Sequence, residues 1–205
     1  MTTPRGMVYL LDDDPAIVKA LTRLLRSRQF AVQGFTSVQE FFAAYQPQTV
    51  ACLVLDLAMP ELNGLELQQR LTHQGILLPI IFLTGQGDIT MSVRAIKAGA
   101  SDFLTKPVEA TALVGAVRAA LQKAAIQYQT IAETAAVAAR WATLSPRERE
   151  LMDHVVAGEL NKQIAAELGI VEQTVKAHRG RMMAKMKVDS VADLVRAAER
   201  LRNGQ

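Results

Sequence analysis

The sequence predicts two domains of different class, a doubly wound α/β domain on a five-stranded parallel sheet and a smaller all-α domain of four helices. Short apolar runs alternate with amphipathic segments over residues 1–122, which is typical of the first class. Residues 144–205 show helical spacing throughout, which indicates the second. Residues 123–143 contain neither Pro nor Gly and are predicted to form a helical linker.

Composition limits the possible functions. The chain has 205 residues, half of them hydrophobic, and a net charge of +3, which describes a folded protein rather than a disordered one. Its one cysteine, Cys52, lies inside an apolar run and is interpreted as a core residue, so no disulfide is expected. No apolar stretch reaches the length of a membrane span, and a cytoplasmic location is expected.

Five strands are predicted in the first domain, at 7–11, 30–35, 50–55, 79–83 and 101–104. The continuous run at 50–55 is typical of a central strand buried on both faces. Helices are predicted after the first four strands, and the fourth of these spans 88–98. Alternating strands and helices favour right-handed crossovers and a parallel sheet.

Charged and hydroxyl side chains follow four of these strands. Asp12 and Asp13 follow the first strand, Asp56 the third, Thr84 the fourth and Lys106 the fifth. The carboxyl ends of parallel strands share one edge of a sheet, where ligands bind in this class of fold. The five side chains are therefore predicted to form one site.

The residue types in that site indicate phosphoryl chemistry. Clustered carboxylates require a counter-cation, and their hard oxygen atoms suit Mg²⁺. Lys106 and Thr84 offer a positive charge and a hydroxyl donor to phosphoryl oxygens, and Asp56 offers a nucleophile. The predicted reaction is formation of an aspartyl phosphate on Asp56.

The second domain has the pattern of a helix-turn-helix protein. Ser145, Pro146 and Glu148 predict a capping box, Asn161 is predicted to cap a short helix, and Gly169 begins a tight turn. The helix predicted at 172–186 has apolar residues on one side and basic residues on the other, and the basic cluster runs one residue past its end, comprising Lys176, Arg179, Arg181, Lys185 and Lys187. That division of charge predicts a helix that enters the major groove of DNA.

Residues 7 to about 122 resemble the receiver domain of two-component response regulators. The resemblance rests on Asp12-Asp13, Asp56-Leu-Ala-Met-Pro60, Asn63-Gly64, Thr84-Gly85, Lys97-Ala-Gly-Ala100 and Lys106-Pro107. It implies a flavodoxin-like sheet of order 2-1-3-4-5 and phosphorylation of Asp56 by a sensor histidine kinase. It also implies Mg²⁺ held by Asp12, Asp13, Asp56 and the main-chain carbonyl of Ala58, with Thr84 and Lys106 on the phosphoryl group.

Two further properties are implied by the receiver resemblance. Thr84 and Phe103 are expected to act as a switch, the aromatic ring turning inward as Thr84 moves toward the phosphate. Phosphorylation is expected to favour a homodimer formed through the 88–98 helix, the fifth strand and the fifth helix, which begins near Glu109.

Residues 144 to about 203 resemble the LuxR-type DNA-binding domain, through Leu144-Ser-Pro-Arg-Glu148, Asn161-Lys-Gln-Ile-Ala165 and Thr174-Val-Lys-Ala-His178. With a receiver, this pattern is similar to the FixJ/NarL class of transcription regulators. The resemblance implies double-stranded promoter DNA as a partner and admits RNA polymerase as another. By this resemblance, base edges are expected to be contacted by Lys176, Ala177 and Arg179. Backbone phosphates are expected to be contacted or attracted by Asn161, Lys162, Thr174, His178 and Lys185.

Two alternatives are open at this point. A phosphatase of the haloacid dehalogenase type would also use an aspartate nucleophile, but it expects a second Asp where this chain has Ala58. A regulator controlled without phosphorylation would be expected to lack Asp13, Asp56 or Lys106, and all three are present. No metabolic substrate is expected, and at most a slow loss of the protein's own phosphoryl group.

Overall fold

The computed structural model describes residues 6–47, 49–60, 63–85 and 99–203. The chain divides into two compact units, residues 1–128 and 129–205. The helix expected at 88–98 lies outside the described residues. Among the described residues, no helix combines the length and apolarity that a membrane span requires.

The first unit is built on a five-stranded, wholly parallel sheet. Its strands are β1 (Met7–Leu11), β2 (Ala31–Phe35), β3 (Ala51–Asp56), β4 (Ile80–Thr84) and β5 (Asp102–Thr105), in the order β2-β1-β3-β4-β5. Its described helices are α1 (Pro15–Ser27), α2 (Val38–Ala44), α3 (Gly64–His73) and the first part of α4 (Ala110–Ala142). The predicted fold class and strand order are confirmed.

Alternate residues of each inner strand enter two separate cores, one on each face of the sheet. Val8 and Leu10 pack with residues of α1 and α4, whereas Tyr9 and Leu11 pack with residues of α2 and α3. All six residues of β3 are buried. A strand covered on both faces needs a continuous apolar run, because both sets of side chains leave water. That requirement explains the composition of residues 50–55.

The second unit comprises the end of α4 and four further helices, α5 (Pro146–Val156), α6 (Asn161–Glu167), α7 (Glu172–Met186) and α8 (Val191–Asn203). Gly158 and Gly169 have positive φ angles of 86° and 65° at the turns that precede α6 and α7. Glycine adopts this conformation without a Cβ clash, so both turns suit it. The predicted helix-turn-helix pair, α6 and α7, is confirmed.

The predicted cap of α6 is wrong. Leu160 is the N-cap residue and makes no side-chain cap bond, while Gln163 Oε1 accepts a hydrogen bond from the Leu160 N–H at 2.7 Å. Asn161 is the first helical residue, and its Oδ1 accepts a hydrogen bond from Arg179 Nη1 at 3.0 Å. An asparagine beside a helix start suggests a cap in the sequence, but here a tertiary contact uses its side chain.

Apolar residues form a stripe at three- and four-residue spacing along α4, and the burial of this stripe changes along the helix. Leu113, Val117, Leu121 and Ala124 are buried in the first unit, as their spacing predicts. Tyr128 and Ile131 are 42% and 52% exposed, and Ala138 is exposed as well. In the second unit the buried residue of this helix is Val137. The stripe therefore belongs to the core only as far as Ala124.

A buried carboxylate connects two helices of the second unit. Glu148 is 3% exposed, and its Oε2 accepts hydrogen bonds from Lys185 Nζ at 2.6 Å and from the Ser145 N–H at 2.8 Å. The bond from Lys185 is the main reason that the pKa of Glu148 falls to about 2, and the Ser145 bond adds to it. Glu148 completes the predicted capping box of α5 and also fixes the end of α7.

We expect Gly64→Ala to destabilise the first unit. An added Cβ would lie 2.9 Å from the Asp56 carbonyl oxygen and 3.0 Å from Phe82, so strand β3 or its neighbours must shift. Such overpacking costs roughly 1–3 kcal/mol. Gly115→Ala is the matched control, because nothing lies within 4 Å of its Cβ and alanine in a helix gains roughly 0.5–1 kcal/mol over glycine. Denaturant unfolding followed by circular dichroism measures both, and equal effects would contradict the packing at Gly64.

We expect the second unit to lose stability in acid because of Glu148. Its pKa is about 2 when folded and ordinarily 4.5, so its contribution is complete above pH 4.5 and is lost as the pH falls toward 2. Fluorescence of Trp141, the single tryptophan, reports unfolding of this unit in the full-length chain. Glu148→Gln should lower stability at pH 7 and flatten the pH dependence between 4.5 and 2. An unchanged slope would refute the contribution of Glu148.

Candidate functional site

Three carboxylates meet at the carboxyl edge of the sheet. Asp12 directly follows β1, Asp13 follows it in the chain, and Asp56 ends β3 beside Leu83 of β4. One carboxylate oxygen from each aspartate lies within 4.8 Å of the other two. Asp12 is 0% and Asp56 is 4% exposed, whereas Asp13 is exposed to solvent. The strands thus bring together the acidic residues that the sequence predicts at one site.

Lys106 joins two of these carboxylates. Its Nζ lies 2.7 Å from Asp12 Oδ2 and 2.9 Å from Asp56 Oδ1. Its main-chain N–H donates to the Thr84 carbonyl oxygen at 2.6 Å, which holds the chain after β5 against the end of β4. The ammonium is therefore held beside the candidate nucleophile.

The site raises two pKa values through opposing effects. Burial raises the pKa of Asp56, and repulsion from Asp12 and Asp13 adds to it, while Lys106 acts in the opposite direction. Burial alone would lower the pKa of Lys106, but its hydrogen bonds to Asp12 and Asp56 outweigh that effect and raise it. A further cation beside the three carboxylates would favour the ionised form of Asp56.

The donor set fits Mg²⁺. Carboxylate oxygens are hard ligands, which Mg²⁺ prefers, and Mg²⁺ usually completes its coordination with water. Three carboxylates provide the charge and ligand type, and the exposed Asp13 lies on the side that water reaches. Asp12, Asp13 and Asp56 would hold the ion, and Ala58 lies two residues beyond Asp56 and is exposed.

The two residues predicted as a switch lie on adjacent strands. Thr84 is 2% exposed, and its Oγ1 donates to the Gly85 carbonyl oxygen at 3.3 Å. Phe103 is half-buried, pairs with Phe82 in the parallel ladder and packs on the core that α2 and α3 cover. The predicted rearrangement of these two residues stays a prediction.

A second candidate site is the outer face of α7. Val175, Met182 and Met186 are buried in the core of the second unit. The predicted base-contacting residues Lys176 and Ala177 are exposed, as is Lys162 on α6. Thr174, His178, Arg179 and Asn161 are half-buried. The helix thus has a packed side and a solvent side, as the sequence predicts.

Several of the predicted DNA contacts have protein partners in the free chain. Arg179 donates to Asn161, Lys176 Nζ lies 3.5 Å from Glu172, and Lys185 binds the buried Glu148. The Arg179 bond fixes α7 against the start of α6. The ammonium of Lys185 holds the fold together, and its contact with a phosphate stays a prediction.

Arg181 is a candidate that the predicted DNA contacts omit. It is exposed on α7, its Nε donates to the Ala177 carbonyl oxygen at 3.4 Å and its Nη2 lies 3.4 Å from His178 Nδ1. Its place four residues after Ala177 puts it on the same helix face. The sequence alone could have identified Arg181 from this spacing. It could not have identified the Glu148–Lys185 pair, because the two residues lie 37 positions apart and no local pattern connects them.

Two families match the chain in separate regions. The response regulator receiver domain matches residues 8–118, and the luxR family of bacterial regulatory proteins matches residues 142–198. The first region contains the acidic cluster with Lys106, and the second contains the helix-turn-helix pair.

Relatives align with almost the whole chain. The response regulator protein TodT of Pseudomonas putida is 45% identical over 203 residues, which cover 99% of this chain and 89% of TodT. The transcriptional regulatory protein FixJ of Bradyrhizobium diazoefficiens is 40% identical and 97% of each chain is covered. The solved structure of the response regulator StyR has a TM-score of 0.86 at 41% identity and covers 96% of this chain and 99% of its own. The chain therefore belongs to the FixJ-like response regulators, transcription regulators that join a receiver domain to a LuxR-type DNA-binding domain.

Proposed function

We propose that Asp56 accepts a phosphoryl group from a sensor histidine kinase and that this modification controls binding of the second unit to promoter DNA. The observation that carries the proposal is the bridge from Lys106 Nζ to Asp12 and Asp56, at 2.7 and 2.9 Å. A kinase partner and DNA binding follow from the two families. Receiver domains generally bind Mg²⁺ at this acidic pocket, and we propose Asp12, Asp13, Asp56 and the Ala58 carbonyl as its ligands.

The proposed reaction is an in-line phosphoryl transfer. An oxygen of the ionised Asp56 attacks the phosphorus of a phosphohistidine, an O–P bond forms, the N–P bond breaks, and the leaving imidazole takes a proton. Bound Mg²⁺ supplies charge neutralisation of the phosphoryl oxygens. Once the O–P bond forms, the Asp56 carboxyl group no longer carries a negative charge, and the negative charge lies on the phosphoryl oxygens. Lys106 is therefore proposed to pair with a phosphoryl oxygen in place of the Asp56 carboxylate. Thr84 is proposed to donate to another of these oxygens.

The proposed output is a population shift. Phosphorylation acts only through the difference in stability that it gives to two states of the receiver. Thr84 and Phe103 are proposed to change position between these states, and the active state is proposed to form a homodimer through 88–98, β5 and the first part of α4. A dimer would place two copies of α7 on paired half-sites.

The DNA contacts are proposed residue by residue. Lys176, Ala177 and Arg179 would contact base edges, and Asn161, Lys162, Thr174, His178 and Lys185 would contact or attract backbone phosphates. Arg181 joins the second group because of its exposure on the same face. RNA polymerase is proposed as a further partner at the promoter, and no metabolic substrate is proposed for the chain.

We expect acetyl phosphate and Mg²⁺ to add one phosphoryl group to the wild-type chain and none to Asp56→Asn, since the amide is a poor nucleophile. Intact-mass spectrometry measures the product. Asp102→Asn is the matched control, because Asp102 is exposed and its Oδ1, which accepts a bond from the Phe103 N–H at 2.8 Å, is retained in asparagine. Equal labelling of Asp56→Asn and wild type would contradict the assignment. Omitting Mg²⁺ should abolish the labelling.

We expect Lys176→Ala to weaken binding to a DNA site obtained by selection with the phosphorylated chain. Loss of one base contact costs roughly 1–3 kcal/mol, which is about 5- to 150-fold in affinity. Lys19→Ala removes an exposed lysine of α1, which lies outside the proposed dimer interface, and should leave affinity unchanged. Fluorescence anisotropy at a fixed salt concentration measures both. Equal affinities for Lys176→Ala and wild type would rule out a base contact at this position.

A further inference from the structure

A second cluster of metal-ligating side chains lies in the second unit. His154 belongs to the last turn of α5, Glu159 precedes α6 and Glu167 is its last residue. His154 Nδ1 lies 3.0 Å from Glu159 Oε2 and 3.7 Å from Glu167 Oε2, and the three ligand atoms all lie within 4.8 Å of one another. This cluster shares no residue with the phosphorylation site or with the outer face of α7.

The separations match those of ligands on one ion. Zn²⁺ binds imidazole nitrogen and carboxylate oxygen at about 2.0–2.2 Å, so two neighbouring ligand atoms lie about 2.8–3.6 Å apart in tetrahedral or octahedral geometry. The separation of 3.0 Å from His154 Nδ1 to Glu159 Oε2 falls within this range, and that of 3.7 Å to Glu167 Oε2 lies just beyond it. Small movements of the glutamate side chains would bring all three atoms within bonding distance.

The charge of the cluster also favours a cation. Two carboxylates converge on one imidazole, and no Lys or Arg nitrogen of the described chain lies within 4.0 Å of either one. With a neutral imidazole the three side chains carry two negative charges, which a divalent cation would balance. A neutral imidazole also directs a lone pair of Nδ1 at the cation when its proton is on Nε2.

The backbone positions two of the three metal-ligating side chains, those of His154 and Glu159. Gly158 reverses the chain after α5 at φ +86°, and the Glu159 N–H donates to the His154 carbonyl oxygen at 3.2 Å. The side chains of His154 and Glu159 are only 16% and 31% exposed. Glu167 is 63% exposed, so that side of the cluster is open to water, which would supply the remaining ligands.

We propose that His154, Glu159 and Glu167 bind a divalent transition-metal ion, with Zn²⁺ as the best match. One imidazole nitrogen and two carboxylate oxygens are borderline to hard ligands, and the imidazole favours Zn²⁺ over Mg²⁺ or Ca²⁺. The ion links the end of α5 to both ends of α6. Because Asn161 and Lys162 follow Glu159 closely, metal binding holds the first helix of the helix-turn-helix pair in place.

The test is a Zn²⁺ titration of the full-length chain by isothermal calorimetry. The acidic cluster at Asp56 is present in every variant, so the readout is the difference between variants. His154→Gln is expected to take up one Zn²⁺ fewer per chain than wild type, and Glu167→Gln, which changes an exposed residue, to bind that ion at least tenfold more weakly. His73→Gln is the matched control, because His73 is exposed and its ring forms a hydrogen bond with the Gln69 carbonyl oxygen of its own helix, away from any carboxylate cluster of the described chain.

Two further measurements make the outcome unambiguous. Zn²⁺ should raise the temperature of the Trp141 fluorescence transition in wild type and His73→Gln but not in His154→Gln. Circular dichroism checks that each variant is folded. If His154→Gln does not fold, the test rests on Glu167→Gln. Wild-type stoichiometry and affinity in both His154→Gln and Glu167→Gln would overturn the proposal. Loss of the ion in His178→Gln alone would also overturn it, because that result would place the ion on α7.

Discussion

The ion bridge of Lys106 with Asp12 and Asp56 is the interaction on which the first unit's site depends. Three carboxylates at one edge of a sheet repel one another, and two of them are almost completely buried. The ammonium offsets that repulsion from within hydrogen-bonding distance of both. It can do so only because the parallel sheet brings the ends of β1, β3 and β5 to the same edge. The same contact holds the positive charge of Lys106 close to Asp56, where the phosphoryl oxygens of the proposed reaction would carry negative charge.

The second unit uses a buried ion pair for a different purpose. Glu148 caps α5 through the Ser145 N–H and accepts a bond from Lys185 of α7, so a single carboxylate fixes two helices. Val175, Met182 and Met186 hold the inner side of α7 by apolar packing. Helix α7 is thus anchored along one side, and its outer side carries the residues that we propose as DNA contacts. The His154 cluster lies at the other helix of the pair, where a metal would provide a comparable link.

Local patterns predicted the regular elements well because each pattern reflects the environment that the element enters. The apolar run of β3 is buried on both faces, and the capping box at Ser145 is present. The third, fourth and fifth strands each lie one residue later than expected, because Asp56 pairs with Leu83 and Thr84 with Thr105 in the ladder. The cap assigned to Asn161 was wrong, since Arg179, eighteen residues away, uses the same side chain. Spacing along α4 could not reveal that its residues leave the first core after Ala124 and that Val137 enters the second, because the helix continues through both units.

The sequence by itself determined the two fold classes, the order of the strands in the chain and the acidic, hydroxyl and basic residues at the strand ends. These follow from short-range periodicity and from the rule that parallel strands share one carboxyl edge. Only the tertiary structure decided which charges pair. Lys106 with Asp12, Lys185 with Glu148 and His154 with Glu167 join residues from different elements. Such pairs leave no periodic trace in the chain, because their distances depend on how whole elements pack.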